Sequence, residues 1–284
     1  MKIITSPKEI YQLARSWKLK GQRVAVVPTM GCLHEGHLSL MRIGAKHCDR
    51  VIVTLFVNPL QFGPNEDLDA YPKQLQLDCD LAEKELVDVV FAPENEAMYS
   101  PSFQTEIQVK RLSQGMCAGD RPTHFAGVTT VVTKLFNLTI PDVAVFGMKD
   151  FQQLTIIRQL VQDLNFPIEI LGGPIIREPD GLAMSSRNKY LTGEGRQRAL
   201  CLYNSIQAGR KIVAESSGTE ISSEIIIEQA KNIVRAAGAK LEYAVVVHEE
   251  SLQDEKTVTP ASVLALAARI DNTVRLIDNS KLVS

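Results

Sequence analysis

Val24-Ala25-Val26-Val27-Pro28-Thr29-Met30-Gly31-Cys32-Leu33-His34-Glu35-Gly36-His37 decides how this chain reads. An apolar strand-like run enters a glycine-bearing turn and leaves it into a helix-like segment, with two imidazoles at the turn. Such a strand-to-helix turn aims unpaired backbone N–H groups and the positive end of the helix dipole at one place, which favours an anion such as a nucleotide phosphate. A phosphate site at the carboxyl end of a strand is the first expectation.

Outward from that turn, runs rich in valine and isoleucine recur at Val51 to Val57, Val87 to Phe91, Val143 to Phe146 and Ile168 to Leu171, alternating with amphipathic segments. This alternation predicts an α/β fold with a parallel sheet flanked by helices. Between the last two strands, Leu154, Ile157, Leu160, Val161 and Leu164 fall at helical spacing, and Asp150 stands where it could cap that helix. Past Gly172-Gly173-Pro174 the character changes. Helical stretches at about Gly193 to Ala214 and Glu220 to Ala237 precede strand-like runs at Tyr243 to Val247, Val263 to Ala267 and Val274 to Ile277, which predict a small α+β domain. The expected division is residues 1–176 and 177–284.

The chain has 284 residues, 45% of them hydrophobic and 23% charged, enough for a substantial globular core. Lysine plus arginine (31) nearly balances aspartate plus glutamate (33), for a net charge of -2 that offers no general attraction to nucleic acid or anionic lipid. The expected partner is a small molecule, with neither nucleic acid nor membrane. No signal-peptide-like or membrane-spanning run is present, so a cytoplasmic location is expected. The five cysteines are scattered without a Cys-x-x-Cys pair and read as reduced thiols, Cys32 among them as a small residue filling its loop.

On a helix, His34 and His37 would lie about 4.5 Å apart along the axis and on roughly one face, so both could reach one ligand. Their spacing differs from the four-residue spacing of the two-histidine metalloprotease helix, and no third zinc ligand is evident. In the tail, Met184-Ser185-Ser186-Arg187-Asn188 sets hydroxyls beside a guanidinium, a group suited to phosphate oxygens. Gly147-Met148-Lys149-Asp150 lies where a strand ends and a helix starts, the edge at which open α/β sheets bind ligands. Lys149 brings a compact positive charge, Gln153 an amide one turn on, and Gln61, after Asn58-Pro59-Leu60, a second amide at the same edge.

His-x-Gly-His, Phe56-Val57-Asn58-Pro59-x-Gln61-Phe62, Arg121-Pro122-x-His124-Phe125-x-Gly127-Val128, Lys149-Asp150-x-Gln152-Gln153 and Ser185-Ser186-Arg187-Asn188 stand in the order in which they occur in the pantothenate synthetase family, which the chain resembles from about residue 24 to 191. The resemblance implies a Rossmann-like nucleotide-binding domain and a smaller C-terminal lid or dimer-associated domain, in a homodimer. It implies that pantoate and beta-alanine are joined with ATP and magnesium through a pantoyl-adenylate intermediate. ATP would bind at Met30 to His37, at Gly147, Met148, Lys149 and Asp150, at Ile176 by position, and at Met184, Ser185, Ser186 and Arg187. Gln61 and Gln153 would hold pantoate, Gln61 would border beta-alanine, and His37 would be the proton-donating residue. The magnesium ligands stay unassigned. The chain departs from the family pattern at Met148, Thr123 and Lys73, none of them a phosphate-contacting residue.

The chemistry so implied needs no protein nucleophile. A carboxylate is a poor acyl electrophile, so it first attacks the α-phosphate, and the amine then expels AMP. The protein supplies positioning and stabilisation of the charge building on phosphate, for which His34, His37, Lys149, Ser185, Ser186 and Arg187 are the expected catalytic donors. Two other classes fit parts of the pattern. A nucleotidyl transferase or aminoacyl-tRNA synthetase shares the His-x-Gly-His turn, but the latter would ordinarily bring a basic surface. A catalytically silent ATP-binding module would be expected to have lost one of the donors. His47, His124 and His248 read as structural or surface residues.

Overall fold

The computed structural model describes residues 1–63, 68, 71–216 and 220–283. Among these, the chain divides into two compact units, Met1–Pro174 and Ile175–Ser284. In the first, strands β1 (Lys2–Ile4), β2 (Val24–Thr29), β3 (Arg50–Leu55), β4 (Val89–Phe91), β5 (Val143–Gly147) and β6 (Glu169–Gly173) form one parallel sheet in the order β1-β4-β3-β2-β5-β6. The helices between them are α1 (Pro7–Leu19), α2 (Glu35–His47), α3 (Leu75–Glu83), α4 (Asn95–Met98), α5 (Cys117–Asp120), α6 (His124–Thr139) and α7 (Phe151–Asp163). This is the expected Rossmann-like arrangement. Strand β1 has no counterpart in the sequence reading, because three residues with two exposed carry almost no hydrophobic pattern.

The strands read as unbroken apolar runs because both faces of the sheet are covered. Val24, Val26, Ile52, Val89, Ala144 and Phe146 face one core with Trp17, Val131, Val132, Leu135 and Ile157. Ala25, Val27, Val51, Val53, Val90, Val143 and Val145 face the other with Leu38, Leu40, Met41 and Ala82. With a side-chain period of two, successive residues serve opposite cores, and a polar residue on either face would need its own partner.

Strand order places the ligand edge. From β2 the chain builds outward through β3 and β4 on one side and through β5 and β6 on the other, so direction reverses between β2 and β5. A crevice opens outside the carboxyl ends of strands at such a switch point. The residues following β2 and β5 are the His34–His37 turn and Lys149.

The second unit holds helices α8 (Gly193–Ala199), α9 (Cys201–Glu215) and α10 (Ser223–Ala236) and an antiparallel sheet in the order β7-β8-β9, formed by Lys240–His248, Ser262–Ile270 and Val274–Lys281. Its own core runs through Leu202, Ile206, Ile226, Val234, Val246, Leu264 and Leu266. The single helix expected over 193–214 is broken at Leu200, which ends α8 and precedes α9. Among the described residues no helix is long and apolar enough to cross a membrane.

Candidate active site

His34 is the N-cap of α2 rather than a residue on it, with extended backbone (φ -145°, ψ 175°), and His37 is the third residue of the helix. The two side chains interlock with the main chain. The Gly36 N–H donates to Nδ1 of His34 at 3.2 Å, and the His34 N–H donates to Nδ1 of His37 at 3.3 Å. The ring centroids stand 4.1 Å apart. A nitrogen that accepts cannot carry the proton, so each neutral ring keeps its hydrogen on Nε2 as a donor. Burial, with help from His34 and then from the positive charge of Lys149, lowers the His37 pKa from 6.5 to about 3. His37 is therefore a neutral hydrogen-bond donor at physiological pH, and Lys149 stands close enough to act on it electrostatically.

The backbone of the turn differs from expectation. Its amides do not wait unpaired for an anion: the N–H groups of Cys32 and Leu33 each donate to the buried carboxylate of Asp78 at 2.8 Å, and Gly31 N–H donates to Oγ1 of Thr29 at 3.2 Å. A charged acceptor on α3 thus occupies the concavity, and the imidazole Nε2–H groups and the Lys149 ammonium are side-chain donors near it. Gly31 is fixed by two demands. Its φ of +85° suits glycine, and a Cβ there would sit 2.9 Å from Oδ2 of Asp78. Cys32 is fully buried beside this contact, as a loop-filling residue would be.

Below the turn lies a cavity of about 150 Å³ at the carboxyl edge of the sheet. Met30, His37, Gln61, Asp150 and Gln153 line its polar side, and Phe56, Val128, Val131, Val132, Leu135 and Phe146 its apolar side. Both glutamines singled out in the sequence converge here with His37. Asp150 occupies the N-cap position of α7 but makes no side-chain capping bond, contrary to the expected cap, and its exposed carboxylate borders the cavity instead. Gly147 and Met148 follow β5, with Met148 N–H donating to Gly173 O at 2.8 Å and its side chain exposed.

Gln61 is held on every side. It ends a short 3₁₀ turn, Pro59–Gln61, capped by Asn58. Its side-chain Nε2 donates to the Met30 sulfur at 2.8 Å, and its Oε1 accepts from Asn58 Nδ2 at 3.3 Å, while Asn58 Oδ1 accepts from the Tyr99 hydroxyl at 2.8 Å. Its main-chain oxygen accepts from Nδ1 of His124 at 2.8 Å and from Nη2 of Arg121 at 3.1 Å. Arginine only donates, so the 3.2 Å contact between Arg121 Nη1 and His124 Nε2 fixes the proton of that imidazole on Nδ1. Gly127 lets α6 approach, since a Cβ there would lie 2.3 Å from Leu60 O. Of the structural or surface roles expected for it, His124 thus takes the structural one, buried and engaged with Gln61. Arg121-Pro122-x-His124 is the stretch of sequence that carries both donors to the Gln61 main-chain oxygen. Asp78 carried no signal, because its partners lie 45 and 46 residues away.

The Ser-Ser-Arg segment belongs to the second unit. Arg177 and Ala183 pair across a tight turn, and Met184 N–H donates to Ile176 O at 2.9 Å. Ser185 caps the 3₁₀ turn Ser186–Tyr190 by accepting from Arg187 N–H at 3.3 Å, which leaves its own hydroxyl hydrogen to donate. Asn188 ties the loop to Glu178 Oε1 at 2.8 Å and Ala183 O at 3.1 Å. Ser186 is buried and Arg187 half-buried.

The family model described as pantoate-beta-alanine ligase matches residues 2–281. A protein of Desulfotalea psychrophila named pantothenate synthetase is 51% identical over all of both chains, and one from Geobacter sulfurreducens is 45% identical over 99% of each. Among solved structures, pantothenate synthetase from Thermus thermophilus superimposes with a TM-score of 0.93 at 38% identity over both whole chains. The pantoate-beta-alanine ligase of Francisella tularensis, complexed with beta-gamma ATP and beta-alanine, superimposes with a TM-score of 0.81 at 35% identity, over 99% of this chain and 98% of that one.

Proposed function

The chain belongs to the pantoate-beta-alanine ligase family, and we propose that the cavity under the His34–His37 turn is where it condenses pantoate with beta-alanine at the expense of ATP. The observation that carries this reading is the convergence of His37, Gln61 and Gln153 on one cavity at the switch point of the sheet, with Lys149 beside His37. Pantoate has a dimethyl carbon between two hydroxyl-bearing carbons and ends in a carboxylate. The valine and leucine side chains of α6 suit the methyl groups, and the two amides suit the hydroxyls and carboxylate.

In the proposed sequence, a pantoate carboxylate oxygen attacks the α-phosphorus and pyrophosphate leaves. The beta-alanine nitrogen then attacks the acyl carbon, loses a proton and releases AMP. His34 and His37 donate Nε2–H to phosphate oxygens, and Lys149 supplies charge that need not reorganise as the transition state forms. His37 serves as a hydrogen-bond donor without giving up its proton, because the N–H of a neutral imidazole is too weak an acid to be lost near neutral pH. ATP is also assigned Met30 to Leu33, Glu35 and Gly36, Gly147 to Asp150, and, from the second unit, Ile176, Met184, Ser185, Ser186 and Arg187. Family resemblance supports those assignments, and the free Ser185 hydroxyl hydrogen suits a phosphate oxygen.

Among the described residues no group of three or more His, Cys, Asp or Glu could hold a metal ion, which fits magnesium carried on the phosphates with water and at most one or two carboxylates. Asp150 is the carboxylate at the cavity for it, and the ion would offset triphosphate charge. We read the enzyme as a cytoplasmic homodimer with small-molecule partners only; a monomer in sedimentation would overturn the dimer. The decisive assay follows AMP release with pantoate and beta-alanine each omitted in turn. Pyrophosphate–ATP exchange that requires pantoate alone supports the adenylate, and exchange driven instead by an amino acid or a phosphorylated acceptor would replace this reading.

A further inference from the structure

Thr54 is an anomaly on its strand. On β3 it shares a face with Ile52 and Phe56, which join the apolar core against α6, yet it places a hydroxyl there. The residue is 0% exposed and lines the cavity that holds Gln61, Gln153 and His37. Its main-chain oxygen is used, accepting from Thr29 Oγ1 at 2.8 Å, but its own Oγ1 has no hydrogen-bond partner. A buried hydroxyl without a partner is destabilising, and valine would fill the same space without that penalty. Such an orphan beside a cavity is accounted for by a ligand group that completes it.

We infer that Thr54 is a substrate-binding residue, whose hydroxyl pairs with one alcohol group of a dihydroxy acid bound in the cavity. This rests on the reading of the cavity as the pantoate site. The rest of that wall is apolar and suits the methyl groups, so Thr54 offers a polar contact for a hydroxyl turned toward the sheet. Its contribution is discrimination: a site built to pair with an alcohol rejects an acid that lacks it.

The test uses the full chain with Thr54→Val, which keeps shape and removes only the hydroxyl, and Thr54→Ser, which restores it. Thr54→Val is expected to raise KM for pantoate on the order of tenfold, the effect of one lost buried hydrogen bond, with KM for ATP unchanged and Tm unchanged or higher. Thr54→Ser should return KM close to that of the parent. The two substrate analogues lacking either the 2-hydroxyl or the 4-hydroxyl identify the partner, because the penalty of Thr54→Val should vanish with one of them and persist with the other. An unchanged KM for pantoate overturns the inference and means that water alone completes the hydroxyl. An equal penalty for pantoate and both analogues overturns it in favour of a packing effect. Gln61→Ala and Gln153→Ala, measured in parallel, separate the two readings: if neither alters KM for pantoate, the cavity assignment has failed, and if they raise it while Thr54→Val does not, only the role of Thr54 has.

Discussion

His37 accepts the His34 N–H at Nδ1 while His34 accepts the Gly36 N–H at its own Nδ1, and the two rings sit 4.1 Å apart. Burial, with the nearby His34 and Lys149, disfavours a second proton on His37, whose pKa falls from 6.5 to about 3. Between those values the unfolded chain binds a proton that the folded chain refuses. Stability is therefore lost as pH falls through this window, at up to about 1.4 kcal/mol per pH unit from this group. His37→Asn removes the group, so its unfolding free energy should decline less steeply than that of the parent between pH 6.5 and about 4. Urea titrations at several pH values measure this, and parallel declines for the two proteins would refute it.

Asp78 is the anchor of the same turn. Both oxygens accept main-chain N–H groups in a residue 2% exposed. Asparagine keeps one acceptor and turns an N–H toward the other amide. Asp78→Asn should therefore destabilise the fold by about 2–3 kcal/mol and raise KM for ATP more than KM for pantoate. Chemical denaturation with steady-state kinetics reads both quantities, and a variant with parental stability would show that the turn holds without its anchor.

The sheet was legible because burial on both faces writes itself into unbroken runs such as Val24 to Val27 and Val143 to Phe146, and the ligand edge followed because the motifs stand where those runs stop. The local partners at the turn were not legible. Whether the amides of Cys32 and Leu33 face an anion or an aspartate depends on α3, which is distant in sequence and close in space. His124 reads as structural or surface and is structural, but its partner is not legible, since only the packing of α6 against the Pro59–Gln61 turn brings the imidazole to the Gln61 oxygen. The break at Leu200 escaped because the apolar spacing runs through it.

Lys149 stands at the end of β5, close enough to His37 to lower its pKa. In the proposed reaction its ammonium stabilises charge on the α-phosphate, so it acts on the first half-reaction. Lys149→Ala should lower the rate of pyrophosphate–ATP exchange in the presence of pantoate by about a hundredfold or more, the usual effect of losing one preorganised donor. His37→Ala should act in the same direction. Near-parental exchange in either variant would remove that residue from the chemistry.

His124 and Arg121 share one acceptor, the main-chain oxygen of Gln61, at 2.8 and 3.1 Å. Neither lines the cavity, so in the proposed pantoate site they would act through the placement of Gln61. His124→Leu should raise KM for pantoate on the order of tenfold while leaving KM for ATP near its parental value. His124→Asn, whose side-chain N–H can stand where Nδ1–H stood, should recover most of the loss. Contacts acting through a shared residue are non-additive, so on a Gln61→Ala background the His124→Leu change should add little. Equal and additive effects in the double variant would mean that the imidazole reaches pantoate by another route, and a change in stability alone would reduce the clamp to a support of α6.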